Sequence, residues 1–440
     1  MLLRCWENSH QNKPAFSGCR LATALNAALL LFVFVALAPI YAQELPPLTL
    51  TEAEELALRQ EPGQAAYLAR ADALQEQAVV AGQLPDPTLR IGLANFPVEA
   101  GGFSTEAMTQ AQLGLRQSFP AGKSRVFSAQ RFQSLAAEME QNAEARGRDV
   151  LSMVRGAWLD VYYWQHATAT AKESRRYFDD LVTVTRSLYA VGKKDQQDVL
   201  RADLELSRLD DRLIDFQRQA GTARAALSEW LGADADRAVA SELPAWSRVP
   251  AIERLQDELA NHPALRAVDS QINARLADID IAKERFKPGW ALDLGYGYRE
   301  GSLPSGQPRS DFVSLSVTVD LPVFRKNRQD RSLAAALGER RSAVESREAL
   351  YRRLASQLGG EYQRWQELSR RLDLYERKIL IQSKDQANAA LAAYQSDAGD
   401  FADVLRGLID DLNTQLDYLR IQTDRAQSYA VLANLGGLQR

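Results

Sequence analysis

Cysteine occurs twice in the 440 residues, at Cys5 and Cys19, and histidine three times. Both cysteines fall in the N-terminal segment, so the chain beyond it can form neither a disulfide nor a thiolate metal site. His166 and His262 are far apart, and Met108, Met139 and Met153 do not cluster, so tight metal coordination has no residues to carry it. Proline is missing from residues 121–243 and again from 323–440. Basic charge is not in excess either: 53 Lys and Arg against 57 Asp and Glu give −4, which argues against a nucleic-acid partner. Apart from Leu21–Leu37, no apolar run approaches the 18 or so residues of a membrane helix. Gly122-Lys123-Ser124 resembles the end of a phosphate loop, but the position of its first glycine is Gln117, and no nucleophile elbow, zinc-protease motif or dinucleotide fingerprint appears. No enzyme chemistry and no cofactor are expected.

At the N-terminus, Arg4, Lys13 and Arg20 precede the apolar run, and Pro39-Ile40-Tyr41-Ala42 follows it, the order of a secretory signal cleaved after Ala42. A membrane anchor is the alternative. Cys19 precedes the apolar run, which argues against lipid attachment there. Loss of residues 1–42 leaves a net charge of about −6.

The remainder repeats itself at about 200 residues. LGLRQSFP (113–120) aligns with LSVTVDLP (315–322), PTLRIGL (from Pro87) with PGWALDL (from Pro288), and Tyr189 with Asp198-Val199-Leu200 aligns with Tyr394 and Asp403-Val404-Leu405. The first repeat is residues 43–240 and the second 241–440, each a helix, a strand hairpin (about 88–119 and 290–321) and long helices. Thr51 and Glu54 form a capping box for a first helix that ends at Pro85 and Pro87. Leu89, Ile91 and Leu93, then Leu113 and Leu115, then Leu292, Leu294, Tyr296 and Tyr298, then Val313 to Leu321 alternate with small or polar residues, the period of half-buried strands. The proline-free stretches are rich in Ala, Leu, Arg, Gln and Glu and predict helices, one of about 70 residues and roughly 100 Å from Ala121 to Tyr189. Leu209, Leu213, Phe216, Ala220, Ala223, Leu227 and Trp230, and Leu405, Ile409, Leu412, Leu416 and Leu419, follow coiled-coil spacing.

Four strands of 8 to 11 residues suit a tilted membrane crossing but cannot close a barrel. From the strands alone, a soluble sheet packed on helices is an equal reading. The leader, the missing cysteines and the helix lengths favour a barrel completed by other subunits. Phe96, Phe119, Trp290, Phe312 and Phe324 stand near strand ends, where interfacial aromatics sit.

This duplicated hairpin-and-long-helix chain resembles the TolC family of outer-membrane efflux proteins over nearly all of its length beyond the leader. PDPTLRIGLANFP (85–97) and MTQAQLGLRQSFPAGK (108–123) are similar to its heavy-metal cation efflux branch. The resemblance implies a mainly α chain with membrane β: a homotrimer sharing a 12-stranded β-barrel, four strands per chain, continued by a long periplasmic α-helical barrel. Pro87 and Pro288 stand where helix becomes strand, and Pro120 and Pro322 where strand becomes helix. Tyr189, Gly192, Lys193, Asp195 and Asp198, with Tyr394, Asp397, Gly399 and Asp400, form two turns at the periplasmic tip that meet an adaptor. Asp403 matches the acid of a constriction ring. Relatives carry a second acid one turn on, where this chain has Arg406, so a contact between Asp403 and Arg406 of neighbouring helices is the expected closed gate. Asp410 and Asp411 lie further in and line the lumen in this reading. The implied role is a passive exit duct of a tripartite efflux system of the RND class, working with an adaptor and an inner-membrane pump. Drug or protein (type I) export through the same fold, and a periplasmic coiled-coil scaffold without a pore, are the alternatives.

Overall fold

The computed structural model describes residues 46–438. The signal segment 1–42, with Cys5, Cys19 and the cleavage after Ala42, lies outside the described residues. The compact unit from Pro47 onward contains every element below.

The chain runs α1 (Leu50–Gln60), α2 (Pro62–Gly82), β1 (Thr88–Ala94), β2 (Gln110–Phe119), α3 (Ser124–Ala190), α4 (Gln196–Leu231), α5 (Ile252–Leu259), α6 (Pro263–Glu284), β3 (Trp290–Tyr298), β4 (Phe312–Val319), α7 (Gln329–Leu374), α8 (Leu380–Gln395) and α9 (Phe401–Gly436). The element order of 50–231 thus recurs over 252–436. Helix α3 has 67 residues, a rod of about 100 Å. Its counterpart is α7 and α8 joined through a π turn at Tyr375–Ile379.

Three local expectations differ. The single helix ahead of Pro85 is two helices. Glu61 is extended before Pro62, as steric clash with a proline ring favours, and its carboxylate accepts from Gln64 N–H at 2.7 Å while pairing with Arg146 of α3 at 2.8 Å. The cap of α1 is Thr49, whose Oγ1 accepts from Glu52 N–H at 3.2 Å; Thr51 lies inside the first turn. In the second repeat the helix after Pro322 begins only at Gln329, so residues 320–328 are irregular.

The main core gathers around the middle of α3. Trp158 is fully buried, and its Nε1–H donates to the Leu48 carbonyl at 3.0 Å. That tie holds a short parallel bridge of Leu48 with Val239, stapling the segment before α1 to the one after α4. Around it pack Leu209, Leu213 and Phe216 of α4 with Leu412, Leu416 and Leu419 of α9, so the coiled-coil positions of both repeats share one core. Ala220 and Trp230 are only partly buried.

An ion pair sits inside this core. Arg155 Nε donates to Glu54 Oε1 at 2.6 Å, with side chains 7% and 4% exposed, and the guanidinium lies over the Trp246 ring at 5.4 Å. Removing one partner of such a pair leaves a charge buried without its neutraliser. Arg155→Ala is expected to cost about 3–5 kcal/mol in denaturant unfolding, whereas Arg218→Ala, which breaks the exposed pair with Asp215, costs less than about 1 kcal/mol. Equal losses would remove the buried pair as an anchor of α1.

Candidate functional site: a two-faced sheet and two helical turns

The four strands form one antiparallel sheet in the order β1-β2-β3-β4. The register sorts the side chains by face. Ile91, Leu113, Tyr296 and Val313 make one row across all four strands, and Leu89, Leu115, Leu294 and Leu315 the next. The other face carries Arg90, Gly114, Gly295 and Ser314, then Thr88, Arg116, Asp293 and Ser316. The apolar face is bare: Ile91 is 76% exposed and Val313 74%, and no residue of β4 is buried on either face. On the polar face Arg116 and Asp293 pair at 3.8 Å. The outer edges of β1 and β4 have no strand partner among the described residues. Aromatic stacking closes the foot of the sheet, with the Phe119 and Trp290 rings 4.0 Å apart.

Pro87 and Pro288 stand just ahead of β1 and β3, while Pro120 and Pro322 follow β2 and β4. Between Pro120 and α3, Gly122 has a φ of +50°, and a Cβ there would lie 1.8 Å from Glu284 Oε2. That carboxylate, from the end of α6, accepts from Lys123 N–H at 2.7 Å and from Lys287 Nζ at 2.7 Å. Lys287 and the Lys123 N–H hold Glu284 below the usual glutamate range. Glycine-lysine is therefore the strand-to-helix turn, and Glu284 is its receptor, a role that no local motif signals because 161 residues separate the partners.

At the far end of the helices, Gly192 (φ +71°) turns α3 into α4, with Gly192 N–H donating to the Tyr189 carbonyl at 2.9 Å and Lys193 N–H to Leu188 at 2.9 Å. In the α8–α9 turn the left-handed residue is Asp397 (φ +60°) rather than Gly399. Gly399 serves closeness instead, since a Cβ would meet the Ala393 side chain at 2.9 Å. Asp195 and Asp400 are the N-cap residues of α4 and α9. Burial and the nearby Asp400 carboxylate raise Asp198 above its usual range.

The two turns are joined. Lys194 Nζ meets Asp397 Oδ1 at 2.8 Å and lies 4.6 Å over the Tyr394 ring, whose edge packs on Phe401. Tyr394 and Phe401 are 1% exposed, within a cluster of Leu181, Val182, Ala202 and Val404. The sequence pointed to Lys193; the cation that reaches across is Lys194, whose side chain is 17% exposed. Asp403, Arg406 and Asp410 share the exposed face of α9, while Val404 and Gly407 face inward, Gly407 close enough that a Cβ would sit 3.1 Å from the Ala387 Cα. Arg406 Nη1 lies 3.3 Å from Asp403 Oδ1 within α9 itself. Within this chain the two residues pair across a single helical turn, the spacing at which helical neighbours meet. Asp411 Oδ2 accepts from Gln415 at 2.7 Å.

Residues 254–438 match the family model described as outer membrane efflux protein. Over this second half the chain is similar to the outer membrane efflux protein family. Protein CyaE of Bordetella pertussis is 26% identical over 330 residues, 69% of this chain and 66% of that protein. The cobalt-zinc-cadmium resistance protein CzcC of Cupriavidus metallidurans is 24% identical over 295 residues, 66% of this chain and 67% of that protein. The chain thus spans about two thirds of each. The fold is shared with the outer membrane protein VceC of Vibrio cholerae, at a TM-score of 0.73 and 18% identity over 88% of this chain and 96% of that one. The shared fold therefore extends through the first repeat, beyond residues 254–438.

The bridge between the turns has a definite pH range. Lys194 lowers Asp397 from its ordinary 3.8, and Asp397 raises Lys194 from its ordinary 10.5. A depressed carboxylate contributes above its unfolded value and loses that contribution as pH falls through the lowered one; a raised lysine loses its share as pH rises through the raised one. The pair is therefore intact throughout the interval from 3.8 to 10.5. Spin labels on cysteines placed at Val191 and Ser396 are expected to report one short distance across that range. Lys194→Asp lengthens and broadens it, and Lys194→Asp with Asp397→Lys restores it; an unchanged distance in the single variant would show that the bridge does not join the turns.

Proposed function

We propose that the protein is a passive outer-membrane exit duct of a tripartite efflux system, built from three copies and fed by a periplasmic adaptor and an inner-membrane pump. The bare sheet carries the proposal. Its apolar face is too large to stand in water, and its two open edges are not tolerated in lipid. Joining the β4 edge of each copy to the β1 edge of the next removes both problems: twelve strands close, apolar residues meet lipid, and Arg90, Arg116 and Asp293 face water. A scaffold without a pore leaves that face unexplained and is not favoured. No described helix is long and apolar enough to cross a membrane, so the membrane part of this reading is the barrel.

The duct turns over no substrate and needs no cofactor. Among the described residues no group of three or more His, Cys, Asp or Glu is placed to hold a metal. If the cargo is cobalt, zinc or cadmium, as the name of CzcC states for that protein, the ions cross without being held. Drug or protein export uses the same architecture. The Asp403 face of α9 forms the periplasmic constriction. Adaptor contact at the 192 and 397 turns strains the Lys194–Asp397 bridge and draws the hairpins outward.

Single-channel recording in a planar bilayer tests this. The wild type is expected to give a small conductance that rises severalfold on Asp403→Ala. Val317→Lys with Val319→Lys places charges costing about 2–4 kcal/mol each on a lipid face and is expected to abolish insertion. No conductance from any variant, in a protein that stays soluble without detergent, would overturn the pore.

A further inference from the structure

At the foot of the sheet, on the polar face, a recess of about 600 Å³ lies between the strand ends and the first turns of the helices. Its walls carry Arg116, Arg285, Lys287 and Arg328 against a single carboxylate, Asp320, with Leu321, Val323 and Phe324 as apolar surface. Lys287 is neutralised from behind by Glu284, and Arg116 is 3.8 Å from Asp293. Arg285 donates to the Ser332 hydroxyl at 3.4 Å, and among the described residues neither Arg285 nor Arg328 has an acidic partner. Guanidinium groups left without carboxylates around a hollow with apolar side chains are the donors that planar oxyanions bind.

We propose that this recess binds anionic groups carried on apolar or aromatic bodies, and that solutes of this class are the cargo the neck of the duct favours. The inference rests on the pore reading above, in which the polar face is the lumen. Three copies then bring three such recesses around one narrow passage, where low-dielectric walls concentrate the field of the arginines. Anionic solutes are favoured there over cations of similar size. At the opposite end of the helices the Asp403 carboxylate has Arg406 at 3.3 Å, which reduces the barrier that an acidic ring would present to anions.

The test uses two probes with one ring system and opposite charge, naphthalene-1,5-disulfonate and naphthyl-trimethylammonium, added to each side of a bilayer holding the open Asp403→Ala channel. The disulfonate is expected to block current from the barrel side and the ammonium probe not to. Arg285→Gln with Arg328→Gln weakens that block about tenfold, the effect of losing one or two charge-assisted contacts. Should that variant fail to insert, raising salt from 0.1 to 1 M shortens the screening length from about 10 to 3 Å and must weaken block in the parent channel. Equal block by both probes, or block indifferent to the arginines and to salt, sinks the anion site while leaving the pore intact. No channel at all overturns the pore reading and the site with it.

Discussion

A β-sheet with an open edge cannot remain in hydrocarbon, because every unpaired N–H and C=O there costs several kcal/mol. This chain makes four strands and leaves two edges. From that shortfall the remaining architecture follows. In the proposed duct, other copies supply the closure and their ring encloses the lumen. The duplication that placed a hairpin in each repeat makes each copy supply two hairpins joined through the β2–β3 pairing. The glycines opposite Arg90, Gly114 and Gly295, leave space on the polar face.

The helices answer a different constraint. A rod of 67 residues gains little from a compact core, so its stability is distributed along its length. Near the middle, Trp158, the Leu48–Val239 bridge and the buried Arg155–Glu54 pair lock the connecting segments against α3. At the foot, Glu284 fastens the turn of one repeat to the helix of the other. At the tip only a small cluster around Tyr394 and Phe401, with an ion pair open to solvent on the Asp397 side, joins the two hairpins. Ties thus weaken from the middle toward the tip, the order that lets the tip move while the sheet end stays fixed.

Charge is sorted along the same axis. Acids cluster in the turns and on the exposed face of α9, and arginines at the neck. Both groups are exposed on the single chain, where isolated surface charges count for little. In the proposed ring of copies the same side chains act together on one passage.

The sequence by itself determined the periodic features. Alternation marked all four strands, since a pleated strand exposes one face of every second residue, and proline-free stretches marked the long helices, since only an unbroken N–H ladder sustains them. Single-residue assignments depended on local sterics that a pattern does not contain. Pro62 split the first helix, Thr49 took the cap from Thr51, and Asp397 took the left-handed position beside Gly399. Only the tertiary structure decided the contacts between repeats: Lys194 with Asp397, Glu284 with Lys123, and the arginine recess drawn from three separate segments. Their partners stand 161 to 203 residues apart, and distance along the chain carries no trace of charge complementarity until folding brings the side chains within a few ångströms, where electrostatic attraction becomes appreciable.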